Sequence, residues 1–328
     1  MSGNGRIRLP LRRTLAAPAI ESRSALRRWL LGESDVHGAP EEGRHGPHSW
    51  RRVIWLTGVD YFSTLGYQPG IALIAAGAIA PFATSLLVLV TLLGALPIYA
   101  QVARRSYAGQ GSIAMLENLL PGWNGKLLVL ILLGFPATDF VITMTLSAAD
   151  AAKHAIENPY LHPFLGDAQV GLTLVLLTLL AVIFLLGFRE AIGLATIVAI
   201  PYLLLSLVVL GRGLVEIGQH PELWDNWRTA LTLRGDWGMV FAGSLLVFPS
   251  LALGLSGFET GVSVMPLVDG GAEDEGRRRE ARAPLGRIRN TRKLLAAAAV
   301  VMGVMLVLSA LVTTLIIPPE AYRKGGPA

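Results

Sequence analysis

No cysteine occurs in the 328 residues, which excludes disulfides, thiolate metal sites, iron–sulfur ligation and cysteine nucleophiles. Charge is scarce as well: Asp, Glu, Lys and Arg make up 16% of the chain, against about a quarter in a soluble domain. Histidine is missing from every long apolar segment. All six (His37, His45, His48, His154, His162 and His220) lie outside them, so no histidine proton relay inside a membrane is expected. With no zinc motif and no serine–histidine pair, an enzyme is not expected.

Apolar sequence is what the chain has in excess: 52% of residues are hydrophobic and the mean hydropathy is +0.53. An apolar run of about 18 or more residues reads as a membrane-spanning helix. Seven segments qualify: 53–78, 81–103, 127–150, 168–187, 190–211, 238–267 and 294–317. The expected fold is all-α and integral to the membrane. Residues 1–52 form an Arg-rich cytoplasmic tail, mostly disordered, with a short amphipathic helix around Ser24–Leu31. The transmembrane domain is 53–317, and 318–328 is a short polar end. Ser112–Leu120 is expected as a helix lying at the inner face, and 212–237, with Trp224, Trp227 and Trp237, as outer-surface helices.

The net charge of +5 is not a nucleic-acid footprint, because the basic residues follow topology. If the N-terminus is inside, 22 of the 28 Lys and Arg residues fall on the inner side and six on the outer. That asymmetry orients the chain with its N-terminus in the cytoplasm. The basic run 277–293 is an inner loop with scope for anionic-lipid contact.

Three acidic residues stand inside these apolar segments: Asp60, Asp139 and Glu259. A carboxylate in hydrocarbon is costly and marks a functional site by default. No Lys, Arg or His accompanies them in their segments, which points to a pocket for a cation. At ~1.5 Å per residue, all three reach similar depths in a core ~30 Å thick. Oxygen-bearing neighbours share their helix faces: Thr143 lies four residues after Asp139, Ser256 three before Glu259, and Ser63, Thr64 and Tyr67 follow Asp60. Gly66, Pro69 and Gly70 are expected to break the first span, and Pro249, Gly254 and Gly257 the sixth. A broken helix frees backbone carbonyls to face a cavity. Such an oxygen set suits a hard cation. Three clustered carboxylates repel one another, so at least one is expected to be protonated during the cycle, a route to proton coupling. The bland alternative is that each acid is an interhelical hydrogen-bonding group. Tyr61 reads as an interface aromatic.

The stretch Gly58-Val-Asp60-Tyr-Phe-Ser-Thr-Leu-Gly-Tyr67-Gln-Pro-Gly70 resembles the first-helix motif of KUP/KimA-type potassium uptake proteins of the amino acid–polyamine–organocation (APC) superfamily. Asp139 with Thr143, and Ser256-Gly-Phe-Glu259, resemble that family's third- and sixth-helix motifs. The resemblance implies a partial APC/LeuT-like inverted-repeat fold, with helices 1 and 6 interrupted and the chain truncated after the seventh helix. It also implies proton-coupled potassium uptake, with Asp60, Tyr67, Asp139, Thr143, Ser256 and Glu259 around the cation and proton sites, in a chain inactive alone. Gly-Phe-Glu-Thr-Gly261 is similar to the sixth helix of APC amino acid permeases, which gives the alternative; a non-transporting scaffold or sensor is the third reading. No cofactor is expected, K+ and H+ being cargo, and no metal site beyond the transported cation. Expected partners are the lipid bilayer, a small cation or amino acid, and a second copy as a candidate homodimer, but no nucleic acid. The expected location is a bacterial-type plasma membrane.

Overall fold

The structure is a computed structural model that describes residues 47–107, 109, 111–112, 123–186, 188–233, 235–252, 257–274 and 283–318. The helix around Ser24–Leu31, most of the Ser112–Leu120 segment, Gly254, Ser256, Arg277–Arg282 and the last ten residues lie outside the described residues.

Among the described residues every regular element is helical, and an isolated parallel bridge pairs His48 with Val268. The order is α1 (Trp50–Ala76), a 3-10 turn (Gly77–Ile79), α2 (Ala80–Val90), a π turn (Thr91–Ala95) and α3 (Leu96–Arg105). Then follow α4 (Trp123–Glu157), α5 (His162–Leu165), α6 (Gln169–Leu186), α7 (Phe188–Gln219) and α8 (Glu222–Thr232). The last are α9 (Trp237–Leu251), α10 (Phe258–Ser263), a 3-10 turn (Met265–Leu267) and α11 (Leu285–Ile316). Among the described residues four helical stretches are long and apolar enough to cross a membrane: Asp60–Arg105, Gly125–Glu157, Ile192–Gln219 and Leu285–Ile316. Gln169–Ile183 and Trp237–Leu251 are shorter apolar helices. Helices are required here because hydrocarbon supplies no partner for a backbone N–H or C=O.

The first of these stretches is a hairpin. Gly77, at φ 58° and ψ −129°, ends α1. The start of α1 is tied to the segment after α10 by His48 N–H to Leu267 O at 2.7 Å. The end of α3 reaches the same region, where Ala103 packs with Met265 and Ile288. The two arms therefore begin and finish at one end of the bundle, and they supply the first two expected spans.

The expected break in the first span is not at Gly66, Pro69 and Gly70, because α1 runs unbroken through all three. Proline removes one intrahelical donor and crowds the preceding turn. The residues before the proline are packed: Tyr67 and Gln68 are buried, and the Gln68 side-chain amide donates to the Leu251 carbonyl of α9 at 3.0 Å. The sixth span does part. α9, which contains Pro249, ends at Leu251, and α10 begins at Phe258 behind Gly257, whose φ of 98° is open to glycine.

The core forms where α11 lies against α1 and the hairpin's second arm. Leu294, Leu295, Ala298, Ala299, Met302, Met305 and Leu306 of α11 join Val53, Tyr61, Phe62 and Leu65 of α1, with Phe258 and Val262 of α10. Alanines at 298 and 299 let the helix backbones approach, the usual basis of helix packing in lipid. Tyr61 is therefore a core residue rather than an interface aromatic: it is 1% exposed and meets Phe258 edge-on at 5.6 Å. By contrast α4 packs mainly on α6 and leaves Leu130, Phe135 and Val141 more than half exposed. The 212–237 segment divides in two. Its first residues prolong α7, and α8 docks through Trp227, whose indole N–H donates to Ala78 O at 2.8 Å.

Candidate functional site

Two features of α10 build the site. It is short, Phe258–Ser263, and starts behind Gly257. Its consecutive residues Glu259 and Thr260 lie about 100° apart around the axis and serve different neighbours. The Thr260 hydroxyl donates to Asp60 Oδ2 at 2.6 Å, joining α10 to the first helix. Glu259 turns toward the segment after α3: its Oε1 accepts from the Ser112 N–H at 2.9 Å and its Oε2 from the Ser112 hydroxyl at 2.8 Å. Gly111 makes that approach possible. Its φ is +75°, and a Cβ there would collide with Glu259 Oε1.

Asp60 lies in the middle of α1, half-buried. One turn on, the Ser63 hydroxyl donates to the Asp60 carbonyl oxygen at 3.0 Å. The Tyr67 hydroxyl lies 3.5 Å from Thr64 Oγ1 and within electrostatic reach of Asp60, Asp139 and Thr143. Tyr99 of α3 stacks on Phe258 at 5.4 Å and faces Glu259, Ser112 and Asp139 in the same way. Tyr67 thus neighbours Asp60 and Tyr99 neighbours Glu259, and both have Asp139 among their surroundings.

The α4 pair divides in character. Asp139 is partly exposed and feels the charge of Asp60. Thr143, one turn later, is buried beside the Tyr67 hydroxyl, although its Oγ1 makes no hydrogen bond of full geometry. The Gln68 Oε1 on α1 is also buried and lacks one. Of the six residues expected at the site, Asp60, Tyr67, Asp139, Thr143 and Glu259 come from three parts of the chain to one region, and Ser256 is outside the described residues. They do not close on a single point. Among the described residues no group of three or more His, Asp or Glu side chains could hold one metal ion. Carboxylates repel when nothing neutralises them, and Glu259 and Thr260 face different ways.

Four residues at the site escaped the sequence reading: Thr260, Ser112, Tyr99 and Gln68. A charge inside an apolar run marks a site by itself, and these four are neutral. A usable signal exists for Thr260 and Gln68, since each is a polar residue in an apolar segment beside Gly or Pro. Nothing in the sequence pairs Ser112 with Glu259, 147 residues away.

The model of a family described as amino acid permease matches residues 49–327 of this chain. No curated protein and no solved structure matches it.

Proposed function

The chain belongs to the amino acid permease family of the APC superfamily, and from that premise we propose that it is a secondary transporter for cargo bearing one positive charge, potassium moved with a proton. The observation that carries this is the set of Asp60, Asp139 and Glu259 on segments without a single Lys, Arg or His. Asp60 and Asp139 sense each other's charge. Ionised together in low dielectric they are unfavourable; a cation or a proton between them relieves the repulsion. The buried oxygens of Thr143 and Gln68, neither held in a hydrogen bond of full geometry, add the neutral donors that a partly dehydrated potassium ion takes. Asp60, Tyr67, Asp139 and Thr143 are the proposed cation ligands. One of the three carboxylates is the proposed proton site, since their mutual repulsion is relieved by a proton. The proposed orientation has the N-terminus in the cytoplasm, the side on which the basic residues gather, and the proposed location is a bacterial-type plasma membrane.

The family match favours a second reading, in which the cargo is an amino acid whose ammonium group occupies the same carboxylates. One experiment separates the two. The full chain is expressed in a bacterium lacking its own potassium uptake and grown at low external potassium, and it is reconstituted in parallel for amino acid uptake. The proposed ligands all lie on this chain, so activity is expected of it, against the inactivity that the resemblance implies: growth is restored, Asp60→Asn abolishes it, and it depends on the pH gradient. No restoration, with amino acid uptake in the vesicles, replaces the potassium reading by the second one.

A further inference from the structure

A groove of about 590 Å³ opens at the end of the bundle where α3 finishes, lined by Pro97, Ala100, Gln101, Arg104, Arg105 and Arg292. Positions 97, 100, 101 and 104 recur at the spacing of one helix face, so the groove runs along α3. Arg292 comes from α11, 187 residues after Arg105, and closes the opposite wall. Three guanidinium groups from two separate helices thus share one cavity.

None of the three has an acidic partner among the described residues. The neighbouring Arg289 does, with Glu273 at 3.1 Å. Three like charges lining one groove repel one another, and a bound anion removes that cost. Arginine is the side chain suited to phosphate, because its planar fork donates two parallel hydrogen bonds.

Depth decides which phosphate. Arg292 is followed by Lys293 and then by the apolar run that begins at Leu294, so it marks the boundary between headgroup and hydrocarbon. Arg104 and Arg105 end the apolar hairpin at the same level. From there the groove extends along Ala100 and Pro97, one to two turns into the apolar zone. A free phosphate ion needs only the arginines. A phospholipid needs both parts, a phosphate at the arginines and an acyl chain along the apolar wall. A basic pocket between helices at a membrane surface has the chemistry of a lipid-headgroup site.

We propose that the groove between α3 and α11 is a binding site for an anionic phospholipid, with the phosphate held by Arg104, Arg105 and Arg292. Positive charge at this end as a topological signal alone requires no convergence; three arginines on a common cavity, with an apolar extension, is what lipid retention requires.

The test uses the full chain purified in a neutral detergent. Phosphatidylglycerol, phosphatidylcholine and inorganic phosphate are added separately, and retained adducts are read by native mass spectrometry alongside the melting temperature. Phosphatidylglycerol is expected to be retained in preference to phosphatidylcholine. At about fivefold per arginine, the triple variant Arg104→Gln/Arg105→Gln/Arg292→Gln weakens retention roughly a hundredfold, and Arg289→Gln leaves it unchanged. Should the triple variant fail to fold, Arg292→Gln alone is expected to lose about fivefold. Equal retention of the two lipids by the unaltered protein overturns the proposal. So does stabilisation by inorganic phosphate equal to that by phosphatidylglycerol, or an equal loss in Arg289→Gln.

Discussion

Thr260 donates its hydroxyl proton to Asp60 Oδ2 at 2.6 Å, joining residues 200 positions apart. The bond fixes the carboxylate of the first helix to the start of α10, so any movement of α10 is felt at Asp60. A hydrogen bond to a charged group contributes ~1.5–3 kcal/mol.

Thr260→Val keeps the shape and removes the donor. Initial uptake rates in reconstituted vesicles are expected to fall roughly ten- to a hundredfold, the range that ~1.5–3 kcal/mol represents. Thr260→Ser restores most of the rate. Equal rates for Val and Ser would show that the bond has no part in transport.

Glu259 accepts two hydrogen bonds from one residue, Ser112. Glu259→Gln offers one oxygen and an amide that donates toward a donor, so it is expected to lower stability by ~1–3 kcal/mol. Ser112→Ala removes the hydroxyl and leaves the N–H, and is expected to cost less, ~0.5–1.5 kcal/mol. Melting temperatures in detergent give the order: unaltered, Ser112→Ala, Glu259→Gln.

Two glycine substitutions should behave oppositely. Gly111→Ala meets Glu259 Oε1 and a φ of +75°, and is expected to destabilise by ~1–3 kcal/mol. Gly70→Ala meets nothing within 4 Å inside a continuous helix, where alanine gains up to ~1 kcal/mol over glycine. A melting temperature lowered by Gly70→Ala would place the break of the first helix back at Gly70.

Asp274 is 4% exposed and caps α11: its Oδ1 accepts from Gly286 N–H and its Oδ2 from Arg287 N–H, both at 2.8 Å. Asp274→Ala is expected to lower stability by ~1–2 kcal/mol, the cost of a lost helix cap. Uptake per folded molecule should remain near that of the unaltered protein, because Asp274 lies outside the proposed cation site. A loss of uptake larger than the loss of folded protein would instead give this cap a part in the transport cycle.

Much of the architecture was legible because hydropathy is a local property. The segments at 127–150 and 294–317 fall inside α4 and α11 with its flank, and α6 (Gln169–Leu186) fills most of 168–187. The break in the sixth span was legible for the same reason, since Gly257 is placed where only a residue without a side chain sits comfortably. The break in the first span was read from Gly66, Pro69 and Gly70 and is absent. Composition signals that a helix can break, but packing decides whether it does. Here Gln68 and the buried face of α1 hold it together. Tyr61 was misplaced on similar grounds, because an aromatic near a span's end fits an interface as well as a core until its neighbours are known.

The sequence by itself determined that the chain is an all-α membrane protein and that Asp60, Asp139 and Glu259 lie within its apolar segments. Hydrocarbon forces the backbone to satisfy its own hydrogen bonds, so length and apolarity are enough to specify helices. Only the tertiary structure decided which partner each acid meets: Thr260 for Asp60, Ser112 for Glu259, and a shared field with Tyr67 and Tyr99 for Asp139. Each residue turns a helix by about 100°, so the direction of a side chain depends on how the helices are rotated against one another. That rotation is set by side-chain packing across the whole bundle, and no single segment contains it.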